Sequence, residues 1–236
     1  MADITYTLDN EVAVVSLNTG ENRFNIDFVN TFLSVMDEIE AKTDARTIVV
    51  TSSHEKIFSN GIDLDWLSGL IQAGKIDQVK EFLYRQNDMF KRVATCPMIT
   101  IAALSGHAFA GGAILACAFD FRLMRSDRGF FCFPEVDLGI PFLPGMLELL
   151  KSAIPLYKMD EMQYLGSRLT AAECEAHHIV TRACHKDDLM NETMAFARKF
   201  NKSRKTIGEM KRRMNRNIVA AMDTEDVEYI EKGRLV

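Results

Sequence analysis

An apolar run at residues 98–104 breaks into Ser105-Gly106-His107-Ala108-Phe109-Ala110-Gly111-Gly112, then into the small-residue stretch Ala113-Ile114-Leu115-Ala116. This passage constrains the fold more than any other. Pro97 introduces a run that reads as a buried strand, the glycine pair reads as a tight turn, and the residues after it read as a closely packed helix. The spacing predicts that helix over 111–118. Further short strands are predicted at 4–8 and 12–17, a hairpin around Asp9-Asn10, and at 47–51, 120–125 and 130–133. Between them lies helical patterning. Asp27 is placed to cap a helix that carries Phe28, Phe32, Leu33, Met36 and Ile39 on one face. A mostly helical stretch runs over 64–93, where Gly69 and Gly74 mark a mobile segment. A loop at 141–145 precedes a helix at 146–154, and Thr170 with Glu173 forms a capping box. Alternation of this kind predicts an α/β protein.

From about Asp188 the sequence turns charge-rich and helical. It divides into a core over residues 1–187 and a helical region over 188–236. Met210, Met214, Ile218 and Met222 are spaced as one apolar stripe, an oligomer or core seam. The basic run Arg198, Lys199, Lys202, Arg204, Lys205 and Lys211 to Arg213 reads as a solvated helix face.

Composition narrows the classes of function. A net charge of -5 gives no general basic field for nucleic acid. The five cysteines show no Cys-x-x-Cys pair, which favours reduced thiols inside a cell. No basic and apolar leader opens the sequence, and no apolar run approaches the ~20 residues of a membrane span. The expectation is a cytoplasmic protein with no membrane partner.

Three stretches carry chemistry. The Ala110-Gly111-Gly112 turn either packs a helix tightly on a strand or points the first helical N–H groups at an anionic atom. Phe58-Ser59-Asn60-Gly61-Ile62-Asp63 is a turn in which Asp63 either caps the next helix or shapes a site. Glu135 follows Phe133-Pro134 in an apolar neighbourhood, so its carboxyl is desolvated, paired, or on a surface loop. His107 reads as a packing or hydrogen-bonding residue. His177 and His178 are adjacent on a helix and do not share a face. No metal-ligand spacing, P-loop or Gly-x-Ser-x-Gly turn occurs.

Together these stretches resemble the crotonase superfamily, also called the enoyl-CoA hydratase/isomerase family, from about Thr5 to Val180 and more weakly beyond. The resemblance implies a spiral of ββα repeats with a C-terminal helical oligomerisation region. It implies an acyl-CoA thioester substrate, coenzyme A only as part of that substrate, no permanently bound cofactor, and a homotrimer or hexamer. On the matching positions, the Ile62 and Gly111 amides form an oxyanion hole and Glu135 is the catalytic carboxylate. Arg23, Phe58, Asn60, Gly61, Asp63, Leu64, Phe109, Gly112, Ile114, Phe133 and Pro134 fall at substrate-binding positions, with Arg23 toward a coenzyme A phosphate. Hydratases of the family carry a second glutamate where this chain has Ile114. Asn22-Arg23-Phe24, Asp127-Arg128-Gly129 and Glu135-Val136-Asp137-Leu138-Gly139 are similar to the Δ3,Δ2-enoyl-CoA isomerase branch. The implied reaction is a single-glutamate double-bond shift. A thioesterase, a decarboxylase, a hydratase or a non-catalytic acyl-CoA-binding protein stand as alternatives.

Overall fold

The computed structural model describes residues 3–233. The chain opens with a hairpin, β1 (Ile4–Asp9) and β2 (Val12–Leu17), turned at Asn10 with φ +54°. After the two-residue β3 (Arg23–Phe24) comes α1 (Ile26–Lys42). Its cap is Asn25, whose side chain accepts from the Phe28 amide; Asp27 lies inside the first turn. Both residues are good caps two positions apart, and periodicity alone does not separate them. The expected apolar face is the observed one: Phe28, Phe32, Leu33, Met36 and Ile39 are all buried.

Next come β4 (Thr47–Ser52), β5 (Ile57–Ser59), β6 (Gly61–Ile62), α2 (Leu64–Gln72) and α3 (Ile76–Ala94). Gly69 lies within α2, and the break between the two helices falls at Gly74, φ +68°. Then follow β7 (Ile99–Leu104), β8 (His107–Phe109), α4 (Gly111–Ala118), β9 (Phe121–Arg125), β10 (Phe131–Cys132), α5 (Glu135–Leu138), α6 (Pro144–Ala153) and α7 (Leu156–Leu165). The chain continues through β11 (Arg168–Leu169), α8 (Ala171–Ala176), β12 (Arg182–Cys184) and α9 (Lys186–Ala197). It finishes with α10 (Arg204–Met214), α11 (Arg216–Ala220), a π-helical turn over Ala221–Glu225, and α12 (Asp226–Glu231). The Thr170 and Glu173 capping box opens α8 as expected.

Six strands form one sheet in the order β1-β2-β4-β7-β9-β12, parallel beyond the first hairpin. A smaller sheet runs β11-β10-β8-β5. Each long strand is therefore followed by a short one in the second sheet: β4 by β5, β7 by β8, β9 by β10. A helix closes each pair, which makes the winding a spiral of ββα turns. One face of the large sheet packs Val49, Ile101, Ala103 and Leu123 against Leu189 and Ala197 of α9. The other face holds the main core with α1, α3 and α4.

Two features of the C-terminal region correct the sequence expectation. The basic run is no uniform solvated face. Arg204 donates to the carbonyls of Glu40, Thr43 and Ala45 beyond and at the end of α1. Lys211 is buried and meets Asp120 at 2.8 Å. The methionines form no single stripe either: Met210 and Met214 are exposed, whereas Ile218 and Met222 are buried. The break between the two pairs is at Asn215, where α10 ends at Met214 and α11 begins at Arg216.

Candidate active site

Three parallel neighbours of the small sheet bring the three chemical stretches to one edge. In their register Ser59 lies beside Ala108, and Phe109 beside Cys132. The Gly61 turn, the Gly111 turn and Glu135 thus all leave the carboxyl ends of adjacent strands, where α/β folds place their ligands.

The two glycine turns are in backbone contact. Gly61 has φ +73°, and a Cβ there would stand 2.9 Å from the Gly111 Cα and closer still to its nitrogen. A Cβ on Gly112 would stand 2.7 Å from the Ser59 carbonyl carbon. Only glycine permits this approach. Ser59 fixes its own turn: its hydroxyl donates to the Asn22 carbonyl at 2.7 Å and accepts from the Gly61 N–H at 3.1 Å. The Asp63 N–H donates to the Phe24 carbonyl across the β3–β6 pair. Alternation in a parallel ladder therefore turns the Ile62 N–H the other way.

At the second turn Ala110 takes φ +49° and ψ -127°, a conformation that costs a non-glycine residue about 1–3 kcal/mol. Its N–H bonds the Cys132 carbonyl, and its carbonyl accepts from Ala113 and Ile114. The helix leaves the N–H groups of Gly111 and Gly112 without an intrahelical acceptor, at the positive end of its dipole. The ring of Phe24 closes the space beside Gly111.

Glu135 is buried at 7 % exposure, and its Oε2 has no hydrogen-bond partner. Burial raises its pKa to about 7, opposed only by a bond from its own backbone N–H. Of the sequence alternatives for this residue, the desolvated one holds. Ile114 is 2 % exposed, on the first turn after the glycines.

Other candidates fall into distinct places. Asp63 caps α2 by accepting from the Trp66 amide, and Leu64 is exposed at the start of that helix. Asn60 donates to Glu21, which also holds Arg23 at 2.7 Å, so the guanidinium already has an anionic partner. Phe58 and Phe133 are wholly buried; Phe133 meets Phe131 and Phe142 edge-on. Pro134 precedes α5 as its cap residue. Half-buried Phe109 lies between His107 and the guanidinium of Arg168, 5.6 Å above its ring. His107 accepts from the Phe130 amide, the hydrogen-bonding role expected of it.

Sequence reasoning passed over Asn22 and Ser59. Buried Asn22, at φ +50°, donates to Ser52 and to the Phe58 carbonyl and accepts from Thr19. Its only local signal is its place in the Thr19-Gly20-Glu21-Asn22 loop. The bonds that explain it reach 30 and 36 residues away.

The architecture is the crotonase fold. A probable enoyl-CoA hydratase of Mycobacterium tuberculosis superposes with a TM-score of 0.87, covering 98% of this chain and 95% of that one at 20% identity. An enoyl-CoA hydratase/isomerase family protein of Pseudomonas syringae gives 0.88 over 97% and 96%, also at 20% identity. In sequence, residues 7–232 match the family described as enoyl-CoA hydratase/isomerase, and the chain belongs to that family. Among its relatives, the peroxisomal enoyl-CoA delta isomerase 2 of Arabidopsis thaliana is 39% identical over 72% of this chain and 71% of its own. A probable enoyl-CoA hydratase of Mycobacterium bovis is 31% identical over 80% and 71%. Among the described residues, no helix is long and apolar enough to cross a membrane.

Proposed function

We propose that the chain is a Δ3,Δ2-enoyl-CoA isomerase, acting on a 3-enoyl-CoA thioester to give the 2-enoyl isomer. The observation that carries this reading is Glu135: a dry carboxyl with a free oxygen and a pKa of about 7. Such a group is poised both to take and to return a proton near neutral pH.

In the proposed reaction the thioester oxygen sits between the N–H groups of Ile62 and Gly111. Glu135 takes a proton from C2, the electron pair delocalises onto that oxygen as a dienolate, and the same carboxyl returns the proton at C4. Each preset donor contributes on the order of 3 kcal/mol to holding the developing charge. The open amide end of α4 and its dipole support Gly111 in this role. Ile114 supports isomerisation over hydration, because its side chain has no group with which to orient a water molecule. The 39% identity to an Arabidopsis enoyl-CoA delta isomerase points the same way. No cofactor beyond the substrate's own coenzyme A enters these steps. We assign the assembly as a homotrimer or a pair of trimers.

Incubation with 3-hexenoyl-CoA, followed by chromatographic analysis, tests the assignment. The expected product is 2-hexenoyl-CoA with coenzyme A still attached. Free coenzyme A as the main product would favour a thioesterase. Carbon dioxide released in a parallel incubation with a malonyl-type thioester, which carries a carboxyl to lose, would favour a decarboxylase. Accumulation of a 3-hydroxyacyl-CoA would favour a hydratase, and an unchanged thioester a binding protein.

A further inference from the structure

One buried polar cluster is not used by the proposed reaction, and it lies at the end of the segment that carries Glu135. Asp226, the first residue of α12, is fully buried. Its Oδ1 accepts from the Gly145 N–H and its Oδ2 from Asn87 Nδ2, both at 2.8 Å. A single carboxyl thus joins α3, α6 and α12.

Helix α6 lacks a cap of its own. Its N-cap residue is Leu143, which makes no side-chain bond, and its first residue is Pro144, which has no N–H. Gly145 is therefore the first donor of the helix, and Asp226 supplies both the acceptor and the negative charge that a helix start favours. The fit is close. A Cβ on Gly145 would stand 2.8 Å from Asp226 Oδ2 and would run into the Met222 side chain. The π-helical turn Ala221–Glu225 sets the phase that brings Met222 and Asp226 together onto this glycine.

From Gly145 the chain leads directly back to Glu135. Phe142, three residues earlier, packs edge-on against Phe133 with ring centres 5.8 Å apart. Phe133 is followed by Pro134 and Glu135. The loop is tied a second time where the Ile140 N–H donates to the Glu135 carbonyl. Both contacts hold the loop from its Glu135 end, and Asp226 pins the other end.

We infer that Asp226 is a positioning residue for Glu135, acting through the Gly145 amide and the Phe142–Phe133 contact. The inference rests on Glu135 being the base. It means that the C-terminal helices set the geometry of proton transfer without touching substrate. A displacement of about 1 Å at the reacting carboxyl is enough to cost roughly 100-fold in rate.

The test compares Asp226→Ala and Asp226→Asn in the full chain with 3-hexenoyl-CoA. The alanine variant is expected to lose about 30- to 100-fold in kcat with KM within about threefold of the parent. Asparagine still accepts from Gly145 and faces Asn87, whose unpartnered Oδ1 takes its N–H after an amide flip. It is expected to restore kcat to within about fivefold of the parent. Hydrogen exchange over residues 139–145 should quicken about tenfold in the alanine variant and stay unchanged in β7. Gly145→Ala displaces the carboxyl from the helix side and, by the same split, keeps the test open if Asp226→Ala does not fold. A folded Asp226→Ala or Gly145→Ala variant with the parent's kcat would overturn the inference, as would a kcat loss that asparagine does not restore. If Glu135→Gln retains full activity, the reading of the site fails instead, while exchange over 139–145 still reports whether Asp226 pins the loop.

Discussion

Glu135 costs the fold stability in proportion to its readiness to react. Its pKa rises from 4.5 to about 7, so the folded chain holds a proton that the unfolded chain has released between those values. Its contribution is fully present below about pH 4.5 and is lost as pH rises through about 7. The shift corresponds to about 3 kcal/mol. Glu135→Gln should therefore be more stable than the parent at pH 8 by up to about 3 kcal/mol, with the gap closing toward pH 4.5. Urea titrations across that range measure it, and a gap independent of pH would contradict a desolvated carboxyl. Position 114 tests the same dryness. Ile114→Glu should bring crotonyl-CoA hydration from undetectable to measurable while lowering stability by a few kcal/mol, since a second carboxyl enters a buried place. Product analysis and a melting curve check both halves.

At the scale of elements, the site is two turns pressed together, and each needs glycine for a different reason. Gly61 needs its positive φ as well as the space, whereas Gly112 needs only the space against Ser59. Gly61→Ala should lower kcat at least about 100-fold, because the added methyl separates the two amides. Steady-state kinetics with circular dichroism to verify folding checks this. Much at this scale was legible in the sequence. The 98–104 run, the glycine pair and the apolar face of α1 are local signals, and local sterics enforce them. The β1–β2 hairpin was legible for the same reason. The cap of α1 was misplaced, since Asn25 and Asp27 offer equivalent side chains. Of the supports of the turns, Asn22 was illegible because the groups it donates to are 30 and 36 residues away. The bond of Ser59 to the Gly61 amide is local, but its bond to the Asn22 carbonyl spans 37 residues. Glu135 was visible as a candidate, but its desolvation depends on packing that no window of sequence contains.

Across the whole molecule, the ββα spiral stacks the carboxyl ends of β5, β8 and β10, and long-range polar contacts fasten the C-terminal helices to it. Lys211 reaches from α10 to Asp120 and the Met98 carbonyl, 91 and 113 residues away. Lys211→Met should destabilise the fold by about 3 kcal/mol or more, because it leaves a largely buried Asp120 without its cation. Denaturation midpoints measure that loss. The basic run misled at this scale: sequence shows charge but not which two of its residues turn inward. Exposed Leu156, Tyr157, Tyr164 and Leu165 on α7, with Val136 and Leu138 on α5, give the proposed trimer an apolar surface to cover. Sedimentation velocity should give three or six copies; a monomer at micromolar concentration would contradict that assembly.

The central claim is that one carboxyl moves the proton. Turnover of 3-hexenoyl-CoA by Glu135→Gln tests it most directly, since the amide keeps the shape and removes the base. The expected result is a folded variant with kcat reduced at least about 1,000-fold, consistent with the largest losses for a positioned acid–base group. Isomerisation at the parent's rate by that variant would contradict the account.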